Sequence, residues 1–233
     1  MKRKQLNFSS RNASGFTLIE IAIVLVIIGL LLGGVLKGQE LINSAKVKNL
    51  ATDFKNIPVF VYGYQDKFKA LPGDDKNVVT LHLAGMTPLA VLATTPASSS
   101  GNGRLDGEWD SITETDESIL FWQHVRLAGL APGPTAAPAT GATAIEAFVP
   151  ANAVGGRIGI SSTLPITGMT GSYYVCSYGI DGKFVTQLDT TLDDGVTTTG
   201  SVRAMANRTG GSTTAGTAAA VVAGTTYTVC MAI

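Results

Sequence analysis

Histidine and cysteine are scarce in this 233-residue chain, with two of each. His82 and His124 are distant in sequence from each other and from Cys176 and Cys230, so a clustered metal centre of these residue types has little support. There is no Gly-x-Ser-x-Gly elbow, no His-Glu-x-x-His pair and no phosphate-binding loop. Their absence removes the usual signatures of serine hydrolysis, zinc-dependent hydrolysis and nucleotide binding. Charged residues make up only 15% of the chain, while Gly, Ala and Thr are abundant. That balance fits an extracytoplasmic, loop-rich domain with β-structure better than a cytosolic enzyme. The formal net charge of zero conceals an asymmetry, because four of the 17 basic residues precede residue 16 and no acid does. From Phe16 onward 13 basic side chains face 17 acidic ones, a net of −4, which argues against a general affinity for nucleic acid.

What the chain does have is one long hydrophobic run. Phe16 to Leu36 is apolar except for Glu20 and Thr17, with three glycines, and 21 residues of helix at ~1.5 Å each reach about 31 Å, enough to span a bilayer core. Lys2, Arg3, Lys4 and Arg11 precede it and hold that end in the cytoplasm by the positive-inside rule. A secretory signal peptide carries its small cleavage-site residues after the apolar region. Here Gly15 comes before it, so a cut at that point leaves the helix on the mature protein. Glu20 is the anomaly, since a carboxylate at membrane depth costs about 2.5–3.5 kcal/mol and calls for a partner or a function.

Gly15-Phe-Thr-Leu-Ile-Glu20 behind a basic leader resembles the cleavage signal of type IV prepilins and of the pseudopilins of type II secretion systems. The resemblance implies a prepilin peptidase that cuts between Gly15 and Phe16 and methylates the Phe16 amine. It also implies that Glu20, fifth in the mature chain, pairs with the Phe16 amine of a neighbouring subunit. Subunits would be added from the bilayer by an inner-membrane assembly platform and a cytoplasmic ATPase. A small-xxx-small pattern at Gly29 and Gly33 would let such helices approach closely. In one respect the chain departs from the family: position 22 after the cut is Lys37, where type IV pilins often have a helix-loosening Pro.

The helix is expected to continue past the membrane run. Val47, Leu50, Phe54, Ile57, Val61, Tyr64 and Phe68 recur at spacings of three and four, an apolar stripe with Lys46, Lys48, Asp53, Lys55 and Asp66 on the other face. Pro58 falls inside it and is expected to kink it. The organisation read from the sequence is a leader at 1–15, a membrane or filament-core helix at 16–36, its amphipathic continuation at 37–71 and a globular head at 72–233.

Within the head, loops are expected at 84–103 and 130–155, a helix at 114–128 capped by Thr113 or Thr115, and a short helix at 186–192. Glu114 and Glu117 are assigned to the start of the first of these helices, and His124 to its surface or hydrogen-bonded core. Strands are expected at 157–161, 172–179, 200–206 and 225–231. The fold class is α+β: a long N-terminal, partly transmembrane helix packed on a C-terminal antiparallel sheet, the pilin-like fold. In an exported domain Cys176 and Cys230 read as a disulfide closing 54 positions, worth about 4 kcal/mol in the chain-entropy model. Two buried thiols and a metal pair are the alternatives. The pair also resembles the C-terminal disulfide-bounded region of many type IV pilins.

Asn102, Asp106, Glu108 and Asp110 place oxygen ligands at alternate positions of a Gly-containing loop, a weak calcium pattern without EF-hand spacing. Asp74, Asp75, Asp193 and Asp194 could contribute. Turn formation through Asp and Asn side chains is the preferred reading, so no cofactor is expected, with calcium the one candidate. The expected function is a structural pilus subunit whose partners are identical or related pilins, the peptidase, the platform and the lipid bilayer. A secretion pseudopilin is the first alternative and a signal-anchored binding domain the second. The expected location is the inner membrane, then a surface pilus or a periplasmic pseudopilus.

Overall fold

The computed structural model describes residues 17–97, 99–208 and 210–233. The chain divides into two units, Met1–Asn43 and Ser44–Ile233. Helix α1 runs from Leu18 to Phe68 and contains Pro58 without ending there. In the first unit, all its large apolar side chains from Leu18 to Ile42 are exposed. In the second, Val47, Leu50, Phe54, Ile57, Val61 and Tyr64 are buried, so the stripe of three- and four-residue spacings is the face that enters the core. Lys69 takes a left-handed backbone (φ 55°) and turns the chain out of the helix.

Four strands, β1 (Ile158–Ser161), β2 (Tyr174–Asp181), β3 (Val202–Ala206) and β4 (Thr226–Ala232), form an antiparallel sheet in the order β1-β2-β4-β3. The layout is α+β. Alternation along β2 and β4 sends Val175, Tyr227 and Val229 into the core shared with the 47–61 stripe of α1. It sends Tyr174, Cys176 and Cys230 to the opposite face. The sequence reading leaves that second face free for solvent, but Trp109, Ile166 and Met169 cover it, so both faces are buried. The cover comes from loops, whose packing has no periodic signature. Cys176 and Cys230 are register partners on β2 and β4 and are joined by a disulfide.

Three helices complete the head: α2 (Glu117–Leu127), α3 (Ala142–Phe148) and α4 (Gly182–Leu192), together with a π-helical turn at Val78–His82. Each revises an expected boundary. The N-cap position of α2 is Asp116, not Thr113 or Thr115, it makes no side-chain cap bond, and Glu114 stands outside the helix. The expected loop at 130–155 contains α3, whose Ile145 and Phe148 reach the core. The short helix expected at 186–192 begins four residues earlier, because Asp181 caps it by accepting from the Lys183 N–H at 2.9 Å.

Gly159 on β1 lies against the Trp109 backbone, and an added Cβ would meet the Trp109 carbonyl. Neither main chain can give way without moving a strand. Gly159→Ala is therefore expected to destabilise the head by about 1–3 kcal/mol. Both tryptophans, Trp109 and Trp122, are buried in the head, so urea unfolding followed by their fluorescence reads the loss directly.

Candidate assembly segment and the polar clamps of the head

α1 begins with a reciprocal cap. The Glu20 carboxylate accepts from the Thr17 N–H at 2.9 Å and from the Thr17 hydroxyl at 2.7 Å, while the Glu20 N–H donates to the Thr17 hydroxyl oxygen at 3.3 Å. Thr-x-x-Glu at a helix start is the capping box, and it satisfies donors that the first turn otherwise leaves unpaired. Both bonds to the carboxylate fall on Oε2. Thr17 is therefore a capping residue that the sequence reading passed over, although the spacing of three to Glu20 is readable. Gly15 and Phe16, the expected cleavage pair, lie outside the described residues. Added Cβ atoms at Gly29, Gly33, Gly34 and Gly38 meet nothing within 4 Å, so the small-residue face is open. An apolar surface this long and continuous is foreign to a water-exposed helix. α1 is long and apolar enough to cross a membrane, which fits membrane anchoring.

The head is organised by α2, all eleven residues of which are buried. Its polar side chains bind loop backbone. Gln123 accepts from the Val91 N–H and donates to the Leu89 and Thr135 carbonyls, each near 3 Å. Arg126 donates to the Pro132 and Pro134 carbonyls and lies over the Phe148 ring at 4.7 Å. Ser118 donates to the Glu108 carbonyl. His124 accepts from the Gly73 N–H at Nδ1 and so carries its proton at Nε2, which donates to the Val91 carbonyl at 2.8 Å. Burial holds this imidazole neutral, with its pKa pushed down to about 4. Gly73 needs its left-handed φ of 93°, and an added Cβ there would strike the Glu117 carbonyl.

The residues after Gly73 complete the network. Asp74 accepts from the N–H groups of Gly101, Asn102 and Gly103 and pins that loop. Asp75 accepts from the Tyr64 hydroxyl at 2.8 Å and the Asn77 N–H at 2.9 Å, and meets His82 Nδ1 at 2.6 Å. The four calcium candidates are split between two arrangements. Asn102 donates to Asp106 at 2.7 Å, whereas Glu108 and Asp110 both pair with Arg208, at 3.0 and 3.2 Å. Arg208 is 100 positions from Glu108, a separation at which sequence carries no signal. Asp193 and Asp194 are brought together with Asp189, at the end of α4. Burial, with Asp194 and Asp193 adding to it, raises the Asp189 pKa to about 6.

Residues 10–36 match the family model described as the prokaryotic N-terminal methylation motif. The chain thus carries the type IV pilin and pseudopilin signature. The matched span contains Gly15, Phe16 and Glu20 and most of the exposed apolar face of α1. No curated protein and no solved structure matches the chain. The signature and the α+β layout together point to a structural subunit rather than an enzyme. In general terms the signature implies polymerisation with pilin subunits and processing by a prepilin peptidase.

Glu117 provides a pH signature for the clamps. Its carboxylate accepts from the Ser99 hydroxyl at 2.7 Å and the Asp106 N–H at 2.8 Å, in a wholly buried site. Burial outweighs those bonds and, with the charges of Asp74 and Asp106, raises its pKa from 4.5 to about 7. An acid that holds its proton more tightly when folded contributes stability in full below its unfolded pKa and loses it as pH rises. The Glu117 contribution to stability is therefore expected to fall between about pH 4.5 and about pH 7, while buried His124, its pKa lowered from 6.5 to about 4, contributes in the opposite sense below about pH 6.5. In Glu117→Gln the amide can accept from Asp106 N–H and donate to Ser99, whose hydroxyl also reaches the Pro96 carbonyl. The difference in urea midpoint between Glu117→Gln and the unaltered chain isolates Glu117, and it should move in favour of the variant as pH rises across this range.

Proposed function

We propose that the chain is a structural subunit of a type IV pilus-like filament. It is cleaved after Gly15, methylated on the Phe16 amine and polymerised through α1. The observation that carries this reading is the joint occurrence of a matched methylation motif and an unpartnered apolar helix that holds a single early acid, Glu20. Once cleaved, Phe16 presents a cation at the tip of an apolar helix. When helices pack side by side, Glu20 of one subunit neutralises that amine on its neighbour, and both groups lose water together. Leaving one of such a buried pair without the other typically costs about 3–5 kcal/mol. The capping box holds the carboxylate at the helix start before assembly, and the open glycine face leaves room for close helix contact.

A pseudopilin of a type II secretion system is the second reading. It is favoured by Lys37 at the position where pilins often carry Pro, and by a helix that is uninterrupted there. In both readings the anchor lies in the inner membrane, and the head faces away from the cytoplasm.

Peptide mass spectrometry of protein from the native membrane and from a sheared surface fraction tests the processing. A mature chain starting at N-methylated Phe16 supports it, and abundance in the sheared fraction favours a pilus over a periplasmic pseudopilus. A chain that still begins at Met1 would leave a signal-anchored head. Two variants divide the roles of Glu20. Glu20→Ala removes both cap and charge, whereas Glu20→Gln keeps the cap and removes the charge. Filament yield is expected to drop at least ~10-fold in both, with membrane insertion retained, since the loss of a buried pair exceeds 1.4 kcal/mol. Normal filaments from Glu20→Gln would reduce Glu20 to a capping residue.

A further inference from the structure

α4 ends in negative charge that nothing described in the chain neutralises. Asp189 lies in its last turn, Asp193 follows its final residue and Asp194 comes next. One carboxylate oxygen from each residue lies within 4.8 Å of the other two. Asp189 is wholly buried, and neither of its oxygens has a hydrogen-bond partner. It is the one carboxylate among the described residues with both oxygens buried and unpaired.

Three unfavourable effects coincide here. Burial penalises the charge of Asp189, the neighbouring carboxylates repel it, and a helix C-terminus already carries partial negative charge. The last turn of α4 holds no basic residue. No Lys, Arg or His among the described residues forms an ion pair with any of the three acids. The two outer acids are instead fixed in place by the turn. Asp193 Oδ2 accepts from the Ser201 and Val202 N–H groups, and Asp194 accepts from the Val196 N–H and the Thr199 hydroxyl. Those bonds leave Asp193 Oδ1 and both oxygens of Asp189 without a partner.

We propose that Asp189, Asp193 and Asp194 bind one divalent cation at the turn between α4 and β3. A hard cation with oxygen ligands is what this donor set takes, and calcium tolerates the irregular geometry better than magnesium, which demands a near-ideal octahedron. Water completes the shell on the exposed side of Asp194. Because Val202 opens β3 and Ser201 precedes it, an ion here ties the end of α4 to the start of that strand. The affinity expected of a partly exposed three-carboxylate site is that of extracellular calcium modules, about 10⁻⁴–10⁻³ M. The site is separate from the Asn102–Asp110 loop. It stands or falls apart from filament formation, because it is measured on the unassembled chain.

The test uses the full chain in detergent, stripped with a chelator, and follows melting by tryptophan fluorescence during titration with calcium chloride and, in parallel, magnesium chloride. At about 10 mM calcium and near-neutral pH the melting temperature should rise by about 5 °C, with a smaller rise for magnesium. Asp189→Asn should abolish the rise and, in chelator, melt no lower than the unaltered chain, because the substitution removes an uncompensated charge. No rise in the unaltered chain would overturn the proposal and leave a proton on Asp189 as what relieves the cluster. A full rise in Asp189→Asn would overturn it by placing the cation elsewhere. If that variant does not fold, Asp194→Asn decides, since its side chain is exposed: a weakened rise supports the site and an undiminished one refutes it.

Discussion

A buried helix that carries several charged and amide side chains is tolerable when those groups find partners, and the head of this protein is arranged around that demand. α2 buries Glu117, Ser118, Gln123, His124 and Arg126 together with its apolar residues. An unpaired buried polar group costs about 1–3 kcal/mol, so five of them without partners would cost as much as a typical domain's whole margin of stability. The partners are carbonyl and N–H groups of loops with no secondary structure of their own. The dependence is mutual. The loops gain hydrogen bonds that strands would otherwise supply, and α2 gains the satisfaction that makes its burial tolerable.

Three short segments acquire roles in these terms. Leu71-Pro-Gly-Asp-Asp is an anchor: Gly73 donates to His124, Asp74 holds the 101–103 loop, and Asp75 joins Tyr64 of α1 to His82. Phe121-Trp-Gln-His supplies two core aromatics, then two polar clamps for the residues near 90 and 135. Leu192-Asp-Asp-Gly ends α4 and positions the first N–H groups of β3. A head built this way can carry long Gly- and Thr-rich loops on its surface while its centre is held by a few fixed bonds.

The N-terminal segment follows a different logic. No described residue of its own unit covers the apolar face of residues 18–42, which fits a helix surrounded by lipid or by other helices. Its first acid, Glu20, serves as the far half of a capping box. The same carboxylate is available to a partner outside the chain, and a local role and an assembly role are compatible because a carboxylate has several acceptor sites.

The amino-acid sequence by itself determined the features that rest on local pattern. Apolar length marked α1, its three- and four-residue spacing marked the face that enters the core, and turn residues bounded the four strands to within one or two positions. The Gly15-to-Glu20 pattern was legible because each requirement of the signal is contiguous. Tertiary structure alone decided the rest. That Glu117 and His124 are buried, that the second face of the sheet is covered by Trp109 and its neighbours, and that Arg208 reaches Glu108 all depend on segments meeting across long separations. The convergence of Asp189 with Asp193 and Asp194 was half-legible, since residues four apart share a helix face, but its burial was not. Periodicity reports which side of an element is apolar. It carries no record of which loop will fold over a polar side chain and supply its hydrogen bonds.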